Sequence, residues 1–270
     1  MTNIDIIAIM AVLLIGVPHG GLDGAVARRV GWPATSLAWI WFNLCYVIIA
    51  TLVAGFWWLF PTASLGLFLV ISALHFGVSD VRQTMETSKH NWLPILAHGG
   101  LVPVAIPSFQ PEGASAIFKL LVGNEGANRL MGIIDVAFYC YLLIVCAYIL
   151  FSLKHKRWQT HASNLVFLLV CALWLSPLVS FSLYFCFWHS RVHMLRIWNA
   201  LPVNERFRSG IEAVMYSFFA WCAGAVILWY FPSAIESALV QLTFIGLAAL
   251  TVPHMILVDF VDSKIHRLIS

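Results

Sequence analysis

The chain has 270 residues, of which 61% are hydrophobic and only 10% are charged, and its mean hydropathy is +0.89. A soluble domain is about half apolar and about a quarter charged, so this composition excludes an ordinary soluble fold. The formal net charge of +3 is small, and no nucleic-acid partner is expected.

Apolar stretches that are long enough to cross a bilayer follow one another along the whole chain. They predict an all-α fold, a polytopic integral membrane helical bundle that forms a single membrane domain over residues 1–270. About nine transmembrane helices are expected, and seven or eight are also possible because the breaks at Phe60-Pro61 and Ser176-Pro177 are tight. In chain order the predicted helices are 4–22, 36–60, 63–81, 93–109, 130–153, 161–177, 179–200, 211–231 and 234–260.

The start of the first stretch lacks the basic residues of a signal peptide and runs into Pro18-His19-Gly20-Gly21, so it is interpreted as a retained helix. Lys and Arg accumulate in cytoplasmic loops. With nine spans, twelve Lys and Arg residues fall on one side of the membrane, and only Lys119 and Arg129 fall on the other. This bias predicts a cell inner-membrane protein with its N-terminus outside and its C-terminus cytoplasmic. Residues 110–129 form the predicted outer loop, in which a short amphipathic helix can lie along the interface.

Histidines inside the predicted spans are the most informative residues, because ionisable side chains are costly in lipid and tend to mark function. All of those that lie well inside a span occur in odd-numbered helices, in the middle or inner part, and can therefore meet at one depth. They are His19, His75, His189, His193 and His254. His98 enters from the inner end of an even-numbered helix and is a further candidate.

His189 and His193 are four residues apart, which places both rings on one helix face about one turn apart. This spacing suits two ligands of one metal, although such a pair can also be structural. His19 and His75 at the same depth favour a metal site, because four neutral imidazoles in lipid need a common partner. Imidazole suits iron, copper or zinc, and a set without thiolate or carboxylate favours Fe(II) for oxygen chemistry. No catalytic residue beyond the metal ligands is expected.

Acidic residues follow three of these histidines and are expected to support the ligands from outside the coordination sphere. Asp23 is four residues after His19 and is predicted to face the same side of the helix. Asp80 follows His75 by five residues, about 140° around a helix, so it is expected to serve a histidine on a neighbouring helix. The acidic residues predicted to act in this way are Asp23, Asp80 and Asp259, and His254 is placed beside them, outside the coordination sphere.

Four motifs together resemble the Brp/Blh family of bacterial and archaeal β-carotene 15,15'-dioxygenases. They are Pro18-His19-Gly20-Gly21-Leu22-Asp23, His75-Phe76-Gly77-Val78-Ser79-Asp80, Trp188-His189-Ser190-Arg191-Val192-His193 and Pro253-His254-Met255. The resemblance implies a membrane enzyme with non-haem iron that splits β-carotene with O2 into two retinals. It also implies that the iron ligands are His19, His75, His189 and His193. The aromatic residues Trp188, Phe185 and Tyr184 are expected to line the path of the substrate.

Two other functions remain open on the residues alone. One is a membrane oxygenase that acts on another carotenoid or polyene, and the other is a histidine-rich haem or metal carrier or transporter. A di-iron desaturase is disfavoured because the chain contains no adjacent His-His pair, and a zinc protease because position 190 is Ser where an H-E-x-x-H motif needs Glu.

Overall fold

A computed structural model describes residues 1–82, 92–230 and 234–258, and every regular element in these ranges is helical. Shorter π-helical and 3₁₀ segments interrupt the α-helices at Val12–Gly16, Val17–Leu22, Leu101–Ala105 and Leu183–Ser190. The α-helices are α1 (Asn3–Ala11), α2 (Asp23–Arg29), α3 (Ser36–Leu59), α4 (Pro61–Val81), α5 (Trp92–Gly99), α6 (Ile106–Phe109), α7 (Pro111–Lys154), α8 (Lys156–Trp174), α9 (Pro177–Ser182), α10 (Arg191–Ala200), α11 (Val203–Tyr230) and α12 (Ile235–Met255).

Seven helical segments in the described ranges are long and apolar enough to cross a membrane. The prediction of an all-α polytopic membrane bundle is confirmed, with a count at the lower end of the predicted range. The segments are Asn3–Arg29, Ser36–Leu59, Pro61–Val81, Trp92–Phe109, Pro111–Lys154, Val203–Tyr230 and Ile235–Val258.

The predicted helices 161–177 and 179–200 are present as helical structure but are not among these seven. The first half of α8 is polar, with Lys156 and Arg157 at its start, which leaves too short an apolar stretch. The second corresponds to α9, the π-helix Leu183–Ser190 and α10, so it is divided into three short elements.

The predicted outer loop 110–129 lies within α7. This helix is kinked at Gly123, whose φ of 77° is in the left-handed region that favours glycine. The short helix predicted for this loop therefore exists, as the part of α7 before the kink, and its position in the membrane interface stays a prediction. The predicted inner loop around Lys154 to Arg157 is reduced to His155, which separates α7 from α8.

The chain divides into two compact units, and the predicted single membrane domain stays a prediction. The first unit comprises Met1–Ala8 and Pro61–His189. In it α4 and α5 pack closely, and the glycines Gly77 and Gly99 permit this because they have no Cβ atom. A Cβ atom at Gly77 would collide with the carbonyl oxygen of Ile95, and one at Gly99 with that of Ala73. This contact fixes the helix that carries His75 and Asp80.

The second unit comprises Ile9–Phe60 and residues 190–258. Its 3₁₀ segment Val17–Leu22 packs on α11, where a Cβ atom at Gly21 would lie 2.8 Å from the backbone of Ala213. The guanidinium of Arg28 donates to both carboxylate oxygens of Glu212, at 2.9 and 2.6 Å, and thereby ties α2 to α11. These contacts hold the backbone around His19 in place.

Candidate metal centre

In the first unit, His75 and His189 are buried neighbours whose ring centres are 5.0 Å apart. Nδ1 of His189 lies 3.3 Å from Oδ1 of Asp80, and the hydroxyl of Tyr184 donates to Oδ2 of the same carboxylate at 2.7 Å. We call this the Tyr184–Asp80–His189 chain. A carboxylate that accepts the Nδ1 proton leaves the lone pair of the neutral ring on Nε2, the arrangement of a metal-ligating histidine.

Aromatic rings enclose His189. Phe76 lies 4.6 Å from it between ring centres, and Phe185 stacks on it at 6.0 Å with an interplanar angle of 13°. The π-helix Leu183–Ser190 supplies Tyr184, Phe185 and His189, and such wide turns occur frequently at functional sites. The enclosure keeps water away from the His189–Asp80 contact.

In the second unit, three buried histidines approach one another. The ring centres of His19 and His254 are 5.1 Å apart, those of His193 and His254 are 5.0 Å apart, and those of His19 and His193 are 5.7 Å apart. They come from the 3₁₀ segment Val17–Leu22, from α10 and from α12. The histidine cluster of this unit therefore includes His254, a residue predicted to support the ligands from outside the coordination sphere.

A second carboxylate chain orients His254. Its Nδ1 lies 2.7 Å from Oδ1 of Asp23, and the hydroxyl of Tyr46 donates to Oδ2 of Asp23 at 3.0 Å. We call this the Tyr46–Asp23–His254 chain. Nδ1 of His19 donates to the carbonyl oxygen of Gly16 at 2.6 Å. In both His19 and His254, the neutral ring thus presents the Nε2 lone pair.

His193 has the opposite hydrogen-bond polarity. Nη2 of Arg196 lies 3.1 Å from Nδ1 of His193. A guanidinium has donors and no acceptor, so Nδ1 of His193 must accept this hydrogen bond. The single proton of the neutral His193 ring then lies on Nε2.

A cavity of about 380 Å³ in the second unit reaches two of the three histidines. Its polar lining includes His19, Asp23, Tyr46 and His254, and the other polar lining residues are Asn43, Tyr216, Ser217 and Thr251. Most of the rest of the wall is apolar or aromatic and includes Phe42, Val47, Phe219, Ala220, Leu247 and Leu250. A small number of polar groups in an apolar wall is typical of a site for an apolar small molecule.

The four predicted ligands thus occur as His75 and His189 in one unit and His19 and His193 in the other, and the set of four stays a prediction. Two imidazoles bound at a right angle to one metal, with bonds of about 2.1 Å, have ring centres roughly 4.5 Å apart. The observed separations of 5.0 to 5.7 Å are slightly wider. Accordingly, no group of three or more His, Cys, Asp or Glu side chains in the described ranges has the geometry of a formed metal site.

The predicted direction of Asp23 toward the side of His19 stays a prediction. Asp23 contacts His254, and Asp23 and His19 both line the cavity of the second unit. Asp80 contacts a histidine on another helix, as predicted from its spacing.

The remaining predicted residues have separate surroundings. Asp259 lies outside the described residues. His98 is buried beside Tyr148 and His161, at ring-centre distances of 5.7 and 6.1 Å.

Trp188, Phe185 and Tyr184 do not line the cavity of the second unit. Tyr184 and Phe185 pack around His189, and their role as substrate-lining residues stays a prediction. Tyr46 is not among the predicted site residues. A tyrosine in the middle of an apolar span carries a hydroxyl that must find a hydrogen-bond partner, and this requirement is the signal in the sequence that indicates its role.

The fold and these clusters define a polytopic helical membrane protein that buries histidines with carboxylate partners. Residues 10–262 match the family model described as Beta-carotene 15,15'-dioxygenase. The chain therefore belongs to the β-carotene 15,15'-dioxygenase family.

Two relatives carry the same description. The chain is 38% identical over 263 residues to a Beta-carotene 15,15'-dioxygenase of uncultured marine bacterium 66A03, covering 96% of this chain and 94% of the relative. It is 23% identical over 290 residues to the Probable beta-carotene 15,15'-dioxygenase Blh of Halobacterium salinarum, covering 94% of this chain and 83% of the relative. No solved structure matches the chain significantly.

Proposed function

We propose that this protein is a dioxygenase that cleaves β-carotene at its central 15,15' double bond to give two molecules of retinal. The observation that carries the proposal is the 38% identity to a relative named for this activity, which extends over 96% of the chain. The reaction consumes one O2 and breaks one C=C bond, and each product aldehyde receives one oxygen atom. The buried histidines and the apolar cavity provide groups that suit such chemistry.

The cofactor in this proposal is Fe(II), and its ligands include His19, His75 and His189. The donor chemistry fits, because His19 and His189 have an acceptor at Nδ1, which leaves the Nε2 lone pair of each neutral ring available to a metal. The family resemblance names His193 as the fourth ligand. When bound, Fe(II) supplies the redox chemistry that lets O2 react with a closed-shell hydrocarbon.

The residues of the cavity bind and orient the polyene. The apolar wall, with Phe42 and Leu250, accepts a hydrocarbon that would otherwise dissolve in the surrounding lipid. The faces of Phe42, Tyr46 and Phe219 can stabilise positive charge that develops along the polyene during oxidation. His19 and His254 belong to the polar part of the lining, beside which we place the reacting bond.

We place the protein in the inner membrane, where lipid surrounds the apolar helices and delivers the substrate sideways. The excess of Lys and Arg on one side supports an outer N-terminus and a cytoplasmic C-terminus. Reporter fusions after His155 should give a cytoplasmic signal, and fusions after Gly123 an external one. A cytoplasmic signal at Gly123 contradicts this orientation.

The reaction is tested by expressing the chain in cells that accumulate β-carotene. We expect loss of the orange colour and formation of retinal, with both aldehyde oxygens labelled when the gas is ¹⁸O2. The purified protein should contain about one iron per chain. Replacing His189 by Ala should remove the iron and the activity, whereas the exposed His155→Ala is the matched control and should change neither.

Other outcomes separate the alternatives. An apocarotenal of another length, or cleavage of a different polyene only, indicates another carotenoid oxygenase. Unchanged β-carotene together with bound haem indicates a carrier and contradicts the proposal.

A further inference from the structure

We propose that β-carotene enters the cavity of the second unit sideways from the lipid, through an opening between the middle parts of α3 and α11. This inference rests on the proposed function, because it concerns how the substrate of that reaction reaches the cavity. We call the opening the lateral mouth and define it by Val47, Phe219 and Ala223. The exposure, the depth and the packing of these residues and their helices support it.

The first observation is which part of the cavity lining is exposed. Val47 and Phe219 are 60% and 61% exposed although both line the cavity, and Ala223 is also exposed. All three belong to α3 or α11. The lining residues from α12 and from the 3₁₀ segment are buried or partly buried. The cavity therefore opens to the outside of the protein between α3 and α11.

The second observation is the depth of this opening. Val47 lies at the centre of the membrane-spanning segment Ser36–Leu59, and Phe219 lies close to the centre of Val203–Tyr230. The hydrocarbon core of a bilayer is about 30 Å thick, so side chains at the centre of a span face acyl chains. A polyene dissolves in this layer. The lateral mouth thus opens into the part of the membrane that holds the substrate.

The third observation is how the two helices are supported. Within the described residues, α3 packs mainly on α12, and α11 packs mainly on the 3₁₀ segment. Each helix is therefore held from behind, by an element that forms the back of the cavity, and not chiefly by the other helix. This arrangement leaves room for an opening between them at the middle of the membrane.

Arg28 connects the two helices near their starts. Its guanidinium lies 5.5 Å from the ring centre of Trp39 on α3 and donates to Glu212 on α11. Val47 is eight residues after Trp39, which is about 12 Å along a helix. Phe219 is seven residues after Glu212, which is about 10 Å. Both residues of the mouth therefore lie at a similar height above one clamp.

The clamp also decides which side of the cavity suits a hydrocarbon. Tyr216 lies one turn after Glu212 on α11 and lines the cavity, so the charged groups of the clamp border the cavity on the side of the helix starts. A polyene is poorly solvated by charged groups, whereas Val47, Phe219 and Ala223 present only apolar atoms from their side chains. The lateral mouth is the entrance that matches the substrate.

The test measures how fast β-carotene binds to and leaves the full-length, iron-loaded protein in the absence of O2, where no cleavage occurs. Detergent micelles deliver the β-carotene, and the shift of its absorption on binding is the signal. A residue on the entry path changes the association and dissociation rates by the same factor. A residue of the binding site changes their ratio, which is Kd.

The first variant combines Val47→Trp with Ala223→Trp and narrows the mouth. We expect both rates to fall by about tenfold, within the range of about one to three decades that association rates span among variants of one site. The Kd should stay the same. The matched control combines Ile48→Trp with Cys222→Trp, because these neighbours on the same helices are exposed and do not line the cavity. It should change neither rate.

Phe219→Ala widens the mouth and does not depend on the fold accepting a larger side chain. Both rates should rise while the Kd stays the same. Phe218→Ala is the control, since Phe218 is exposed on the same helix and is not among the lining residues.

Three outcomes overturn the inference. One is that the mouth variants and their controls have equal rates. Another is a changed Kd with an unchanged association rate, which assigns these residues to the binding site. The third is a phospholipid that copurifies with the wild type, is absent from the Val47→Trp, Ala223→Trp variant and is not displaced by β-carotene, which makes the opening a lipid site. A wild type that neither binds nor cleaves β-carotene contradicts the proposed function itself.

Discussion

The two units bury the same three kinds of group in different surroundings. In the first unit, Phe76 and Phe185 pack against His189, the imidazole of the Tyr184–Asp80–His189 chain. In the second, all three residues of the Tyr46–Asp23–His254 chain line a cavity of about 380 Å³. One chain therefore lies among packed rings, and the other borders open space.

The difference suggests a division of labour within the proposed enzyme. An enclosed carboxylate interacts strongly with its partner, since a low local dielectric strengthens hydrogen bonds. A carboxylate that faces a cavity can exchange part of that interaction for water when the cavity is empty. The first unit then fixes the metal, and the second combines metal binding with recognition of the polyene.

The largest effect in this comparison is expected from the carboxylates. Asp80→Asn and Asp23→Asn keep the size of the side chain but remove the negative charge that polarises the ligand imidazole. Changes of this kind typically cost about 10–100-fold in metal affinity or activity. We expect Asp80→Asn at the upper end of this range and Asp23→Asn at the lower end, because Asp23 lines the cavity, where water can replace part of its interaction, and Asp80 does not line it.

Fe(II) affinity by chelator competition and retinal formation by chromatography provide the measurements. The exposed Asp135→Asn is the matched control and should leave both unchanged. A larger loss of Fe(II) affinity for Asp23→Asn than for Asp80→Asn would show that contact with the cavity does not weaken the contribution of the carboxylate.

A smaller effect is expected from filling the cavity of the second unit. Ala220 lines the cavity, so Ala220→Phe places a ring in the space assigned to the polyene. We expect kcat/KM for β-carotene to fall by about tenfold, since small volume changes in an apolar pocket discriminate on that scale. The iron content should not change.

Val226→Phe is the matched control for this variant, because Val226 lies on the same helix, is exposed and does not line the cavity. It should turn over β-carotene like the wild type. If both variants are equally active, the polyene does not occupy this cavity.

The fold class followed from composition, because apolar stretches of membrane-spanning length can only be helices or closed barrels in lipid. The intramembrane histidines followed from the cost of burying polar groups. The contact of Asp23 with His254 did not, because it joins segments that are far apart in the sequence. The contact between Arg196 and His193 depends on side-chain geometry, which spacing alone does not determine.

Tertiary packing decided the place of His254 as well. His19 and His254 are separated by most of the chain, and only the packing of α12 against α3 and the 3₁₀ segment brings Asp23 within 2.7 Å of His254. Helical spacing in a sequence indicates neighbours on one helix, such as His189 and His193. It therefore favours this pair as metal ligands over residues that only tertiary packing brings together. The same limitation explains why Tyr46 was missed.

The smallest effect is expected from the tyrosines at the outer ends of the two chains. Tyr184→Phe removes a buried hydroxyl that donates to Asp80 at 2.7 Å, whereas the Tyr46 hydroxyl is shared between Asp23 at 3.0 Å and the carbonyl oxygen of Leu250 at 3.2 Å. A net hydrogen-bond contribution of about 1 kcal/mol corresponds to about fivefold in iron affinity for Tyr184→Phe. Tyr46→Phe should cost about twofold, because water in the cavity can replace the lost donor to Asp23. Chelator competition measures both values in the same detergent, and the wild type is the reference. A loss for Tyr46→Phe as large as that for Tyr184→Phe would mean that the open chain is as water-free as the enclosed one, and the distinction between the two units would then fail.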